Sequence, residues 1–278
     1  IQYLPQGTEA YLTHGMEDYF EPAIHIRHND NNSSLLLKYV DHSSNAIDNG
    51  VNETVITLKD DKYPVTVKLH YVAYGKENII RTFTEISHEE KKPVILCKYA
   101  SSMLHLNSSK YFLTEFSGDW AHEANVTERE LAFGKKVIDT KLGARANMFV
   151  SPFFQLALDN PSQENAGEVL VGTIGWTGNF RFTFEVDNKN ELRIISGINP
   201  YDSEYSLPAK EVFRTPDFYF TYSTQGKGEA SRNFHDWARN HQVKNGNDTR
   251  MTLLNNWEST YFDFDENKLI GLMDEATK

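Results

Sequence analysis

The chain has one cysteine, Cys97, in 278 residues, so it forms no intrachain disulfide and no cysteine-based zinc site. It has no dense run of lysine or arginine, and 39 acidic residues outnumber 28 basic ones for a formal charge of -11. A surface of that balance repels phosphates, so neither nucleic acid nor an anionic membrane is an expected partner. Apolar runs are short, and none reaches the roughly 18 residues of a membrane-spanning helix. The chain opens at Ile1 without the basic and apolar succession of a signal peptide, a start in keeping with truncation or processing at that end. Composition leaves the compartment open. What is present is 39% apolar residues, enough for a real core in one large or two ordinary domains.

Between residues 20 and 225 the apolar residues come in eleven short alternating runs, among them VTVKLHYVAY, VILCKYASSMLHL, FRFTFEV and ELRIISGI. Turn-forming stretches such as DNNSS, DNG, GKEN and DNKNE separate them. Alternation at period two with Gly, Asn, Asp and Pro between the runs predicts antiparallel strands joined by hairpins, and so many without a long helix predict a large β-sandwich. In FRFTFEV one face holds Phe180, Phe182, Phe184 and Val186, and Arg181, Thr183 and Glu185 fall on a half-solvated opposite face. One helix is predicted over residues 229–241, with Phe234, Trp237, Ala238 and His241 on one stripe. The sandwich is assigned to residues 1–245, ending in that helix, and VKNGNDTR links it to residues 246–278.

The last segment reads as one strand and one helix. Met251–Leu254 suits a buried parallel strand, Asp263 or Asp265 caps a helix start, and Leu269, Leu272, Met273 and Ala276 repeat at helical spacing. A βα unit needs a partner strand after its helix, so the chain is expected to be cut from something longer. The alternative is a lone strand and helix docked on the sandwich.

The segments FSGDWAHE (116–123), WTGNFRFTFEVD (176–187), residues 195–241 and LLNNWESTYFDFDENKLIGLMDEA (253–276) resemble the bacterial α-galactosidases of glycoside hydrolase family 36, and EDYFEPAIHI (17–26) does so less sharply. The resemblance implies a mainly β fold: a large antiparallel β-supersandwich without its first strands, followed by the first βα unit of a (β/α)8 barrel. It implies a parent enzyme that hydrolyses terminal α-linked galactose from oligosaccharides such as melibiose and raffinose with retention, needs no cofactor or metal, and assembles as a homotetramer. Retention needs two carboxyl groups about 5–5.5 Å apart. In the family these are aspartates on later barrel strands, beyond Lys278, so the chain alone is expected to be inactive.

Three residues inherit a substrate-binding role from the resemblance. Trp257 matches the tryptophan at the mouth of the first barrel strand, where an indole face packs on galactose. Asp18 matches an aspartate that reaches a neighbouring subunit's site, although Phe20 stands where the family has arginine. Trp120 borders the leaving-group side of the pocket or packs in the core, the core being the heavier alternative. Residues 141–154, KLGARANMFVSPFF, form a divergent loop that keeps Gly143 and Pro152-Phe153 but lacks the family's histidines. Asp60-Asp61 and Glu89-Glu90 are read as solvated turn charges, and His25 and His28, three apart on a strand, point to opposite faces rather than toward one metal. A non-catalytic carbohydrate-binding sandwich and an assembly domain remain the alternatives.

Overall fold

The structure is a computed structural model that describes residues 9–16 and 19–277. In chain order its strands are β1 (Ile24–Arg27), β2 (Leu37–Asp48), β3 (Val51–Asp60), β4 (Val65–Tyr74), β5 (Ile79–His88), β6 (Val94–Asn107), β7 (Tyr111–Ser117) and β8 (Asn125–Glu130). They continue as β9 (Gly134–Asp139), β10 (Val150–Leu158), β11 (Val169–Gly175), β12 (Phe180–Val186), β13 (Glu191–Ile198), β14 (Tyr205–Leu207), β15 (Val212–Arg214) and β16 (Asp217–Ser223). The helices are α1 (Gly226–Trp237), α2 (Trp257–Thr260) and α3 (Glu266–Ala276).

The strands make two antiparallel sheets. A six-stranded sheet runs β1-β6-β13-β12-β9 with β14 on β6, and a ten-stranded sheet runs β2-β3-β4-β5-β16-β11-β10-β7-β8 with β15 on β5. All eleven alternating runs of the sequence are strands. Period-two patterning works here because each sheet buries one face against the other, so a strand is stable only with its apolar set turned inward.

Aromatic rings close one half of the core. Phe154 of β10 is fully buried and meets Phe182 and Phe184 of the opposite sheet edge-on, at centroid distances of 5.2 and 4.9 Å, and Phe218 of its own sheet at 6.3 Å. Such pairs add to the burial of the rings themselves. Gly172 on β11 leaves them room: a Cβ there would lie 2.6 Å from Phe154 Cζ and 2.7 Å from Phe218 Cζ. Gly172→Ala is therefore expected to destabilise the sandwich by about 1–3 kcal/mol through overpacking, read as a lower denaturation midpoint at unchanged slope.

The chain divides into two compact units, Ile1–Trp237 and Ala238–Lys278. The predicted helix over 229–241 is α1 in its first part, and after Trp237 the backbone continues as a π-helical turn, Ala238–Gln242. Within the first unit, Ala230 and Phe234 of α1 pack on Ala157, Val169 and Val171, and Trp237 is buried against Tyr219 at 4.5 Å and Tyr74 at 5.9 Å.

In the second unit α3 begins as expected, with Asp265 accepting a hydrogen bond from the Lys268 N–H at 2.8 Å. Residues 251–256 make no strand, and Met251 and Leu253 are 92% and 89% exposed. The apolar run was legible, but a parallel strand exists only beside another, and among the described residues none pairs with it. Leu269 and Leu272 of α3 are half-buried, while Met273 is exposed.

Candidate functional site

The outward face of β12 is not solvated as the alternation suggested. Thr183 and Glu185 are 2% and 6% exposed, because the N-terminal segment crosses this face. Cross-strand pairing sets Lys135 opposite Glu185, Glu185 opposite Arg193, and Arg193 opposite His105, a row of four charged or titratable side chains across β9, β12, β13 and β6. That row seats the segment at both ends. His105 donates its Nε2–H to the Glu9 carbonyl at 2.9 Å. At the other end Glu185 accepts the Glu21 N–H at 2.8 Å, and the Arg193 guanidinium lies 3.6 Å from the centre of the Phe20 ring.

Three ion pairs lock the seat. Glu21 takes Lys98 and Lys135 together, the latter at 2.8 Å. Arg193 donates to Asp187 at 3.0 Å with both side chains buried, and Asp187 also caps the Lys189 and Glu191 N–H groups. Burial pushes Glu21 upward, but Lys98 and Lys135 outweigh it and hold its pKa down at about 2. Asp187 is likewise raised by burial and more strongly lowered by the N–H of Glu191, by Arg193 and by the N–H of Lys189.

A carboxyl whose folded pKa is depressed stabilises the fold above its ordinary value and loses that contribution as pH falls toward the folded one. The Glu21 lock is therefore complete above about 4.5 and is lost between there and about 2. In denaturant titrations across that window the wild-type midpoint is expected to fall, and that of Glu21→Gln to fall less steeply.

Asp18 lies outside the described residues, between the described Met16 and Tyr19. The seat just described holds the segment on either side of it. Phe20, where the family pattern has arginine, is 8% exposed, its ring under Arg193.

Trp120 is not a core residue. It is 86% exposed on the connection between β7 and β8, where Asp119 and His122 bond each other's backbone at 3.1 and 3.0 Å and Ala121 and Ala124 adopt positive φ. The tight turn has no interior to offer an indole, so the ring stands in solvent. It belongs to the first unit.

Trp257 opens α2 in the second unit and is 43% exposed, with its backbone N–H donating to Asn255 Oδ1 at 3.0 Å. Tyr261 and Phe262 meet it edge-on at 5.5 and 4.9 Å and are themselves exposed, leaving an aromatic group open to a ring-shaped apolar face.

Other sequence expectations divide. Residues 141–154 are a loop only in part: Gly143–Arg145 is a 3-10 turn held by the Gly143 N–H on Asn179 Oδ1 at 2.6 Å, and Val150–Phe154 already belongs to β10. Asp60 keeps a turn role, accepting the Lys62 and Tyr63 N–H groups. Glu90 is no free turn charge, since it meets His28 Nδ1 at 2.7 Å and takes both the backbone and side-chain N–H of Asn29. His28 stacks on Tyr63 at 3.6 Å whereas His25 lies against His14 at 4.0 Å, so the two histidines serve different partners.

Comparison with known proteins gives this arrangement a relationship. The family model for the glycosyl hydrolase family 36 N-terminal domain matches residues 3–208, and the melibiase model matches residues 212–278. The chain is 28% identical to α-galactosidase Mel36A of Lactobacillus acidophilus over 97% of its own length, and 30% identical to α-galactosidase AgaA of Geobacillus stearothermophilus over 88%. It spans only 39% and 33% of those two relatives. Among solved structures, the α-galactosidase of Lactobacillus brevis superposes with a TM-score of 0.87 at 25% identity, covering 96% of this chain and 38% of that one. A Geobacillus stearothermophilus AgaA variant in complex with raffinose gives 0.87 at 27% identity, covering 94% and 38%. The succession of the two matched regions, together with a superposition that takes in nearly the whole sandwich, places the chain in glycoside hydrolase family 36.

Proposed function

We propose that this chain is the N-terminal part of a retaining α-galactosidase that removes terminal α-linked galactose from oligosaccharides. The carrying observation is that the melibiase match begins at residue 212, directly after the N-terminal domain match ends at 208. One sandwich is thus joined to the first portion of a catalytic domain. The Geobacillus relatives bound to raffinose and stachyose indicate the substrate class. The first 237 residues serve as the supersandwich and residues 238–278 open the barrel, a division slightly before the 245/246 boundary drawn from sequence.

The chain contributes binding groups rather than the bond-breaking carboxylates. Trp257 offers an indole face to the apolar side of galactose, Trp120 stands ready at an exposed turn to meet the leaving group, and Asp18 reaches a neighbouring copy's sugar in a homo-oligomer. Hydrolysis itself needs a nucleophile and a proton shuttle that the chain does not supply. No cofactor enters this scheme.

In the full-length protein, Trp257→Ala is expected to raise KM for melibiose and raffinose by roughly tenfold or more, the loss of one stacked ring. Asp18→Ala is expected to act in the same direction. Unchanged kcat/KM in either variant removes that residue from the site.

A further inference from the structure

The free edge of the ten-stranded sheet at β2 is built for a strand it does not have. Among the described residues β2 pairs only with β3, and every residue from Lys38 to Asn49 is exposed, on both faces of the strand. Its outward N–H and C=O groups meet no strand among the described residues, and Tyr39, Val40 and Ile47 are 60%, 48% and 50% exposed. A twelve-residue edge that is open on both faces and carries Tyr39, Val40 and Ile47 among its polar residues can template another chain where the partner matches its charges and its bulges.

The geometry points to a second copy of this chain as the occupant, with β2 paired antiparallel to β2 of that copy about a two-fold axis at Ser43. This rests on the reading that the chain assembles with itself, and it adds the surface and the register. Directly opposed residues of an antiparallel pair share a face, so the axis passes through a residue and never between two. An axis at Ser43 sets Lys38 against Asp48, the bulged Tyr39-Val40 against the bulged Ala46-Ile47, and Asp41 against Asn45. Moving it to His42 sets Lys38 against Ala46 and Tyr39 against Asn45. Moving it to Ser44 sets Lys38 against Gly50 and Tyr39 against Asn49. Ser43 alone matches opposite charges and apolar neighbours together.

Two irregularities fit the same axis. β2 carries one bulge between Tyr39 and Asp41 and another between Ala46 and Asp48, one on either side of Ser43. About that axis each bulge faces the other copy's second bulge, so the offsets compensate and Lys38 and Asp48 fall on one face. A cavity of about 450 Å3 also opens at the start of β2, lined by Tyr11, Met16, Leu36, Tyr39 and Leu58 among others. The two-fold brings the exposed Ile47 of the other copy to its mouth. Lys38 now pairs with Asp61, but both are more than half exposed, and such a pair is readily exchanged.

Light scattering on the 278-residue chain is expected to give twice its 31.9 kDa mass, falling toward 31.9 kDa on dilution. A monomer at every concentration overturns the self-assembly reading and this inference with it. The register is tested by cysteine cross-linking in a Cys97→Ala background. Ser43→Cys is expected to form a covalent dimer under mild oxidation because residue 43 faces itself, and Asn45→Cys is not. A dimeric chain in which both cross-link equally, or neither does, keeps the assembly but overturns this register. Asp48→Lys or Lys38→Asp alone is expected to weaken association roughly tenfold, and the two together to restore it.

Discussion

Phe154→Ala is expected to lower the unfolding free energy of the sandwich by about 3–5 kcal/mol, the range for deleting a fully buried phenylalanine ring. Phe154 is a central ring of the contact between the two sheets, with Phe182 and Phe184 on one side and Phe218 on the other. Rings fixed by strand pairing cannot collapse into a cavity without breaking register, so the upper part of the range is expected. Guanidinium denaturation followed by tryptophan fluorescence reads the effect, and Phe154→Leu, which keeps most of the volume, is expected to lose clearly less. Equal losses for the two variants contradict the account of a close-packed aromatic junction.

Asp187→Ala is the second large effect, about 3–5 kcal/mol, because breaking a buried ion pair leaves its other charge in a dry environment. Arg193 is 1% exposed and faces Asp187 on one side and the Phe20 ring on the other. The same substitution removes the acceptor for the Lys189 and Glu191 N–H groups at the β12–β13 turn. Asp187→Asn keeps an acceptor and loses only the charge, so it is expected to cost less and to flatten the acid limb of stability. The seat of residues 19–21 depends on this pair. In Asp187→Ala, protease cleavage near Tyr19 is expected to quicken relative to cleavage elsewhere in the sandwich. Equal cleavage rates contradict a link between the buried pair and the seat.

What the sequence disclosed follows from which interactions are local. Runs such as VTVKLHYVAY, with one buried face, matched a strand residue for residue, Val65–Tyr74. β8 escaped because every residue of NVTERE is exposed, which leaves no apolar alternation to read. β14 and β15 are three residues each, too short for a period to show. β10 begins inside a stretch that Gly143 and Pro152 made look like loop, although its pairing with β7 and β11 overrides them. At the other end, the strand expected at 251–254 had the right composition but no neighbour.

The seat around Glu21 was invisible for a different reason. Its partners lie 77, 114 and 164 residues away, at Lys98, Lys135 and Glu185, and no short window contains any two of them. The core alternative for Trp120 fails because composition favours buried tryptophan, whereas a turn closed by Asp119 and His122 gives the ring nothing to pack against. The binding role proposed for Trp257 rests on the resemblance alone, while its aromatic neighbours Tyr261 and Phe262 stand beside it in the sequence WESTYF.

The central proposal is that this chain carries the sandwich of a galactosidase and groups for its sugar-binding entrance but not its chemistry. The most direct measurement is release of nitrophenol from an aryl α-galactoside by the 278-residue chain, with its folded state verified by a cooperative denaturation curve. The account predicts release indistinguishable from a buffer blank at every substrate concentration, and saturable turnover that galactose inhibits would contradict it.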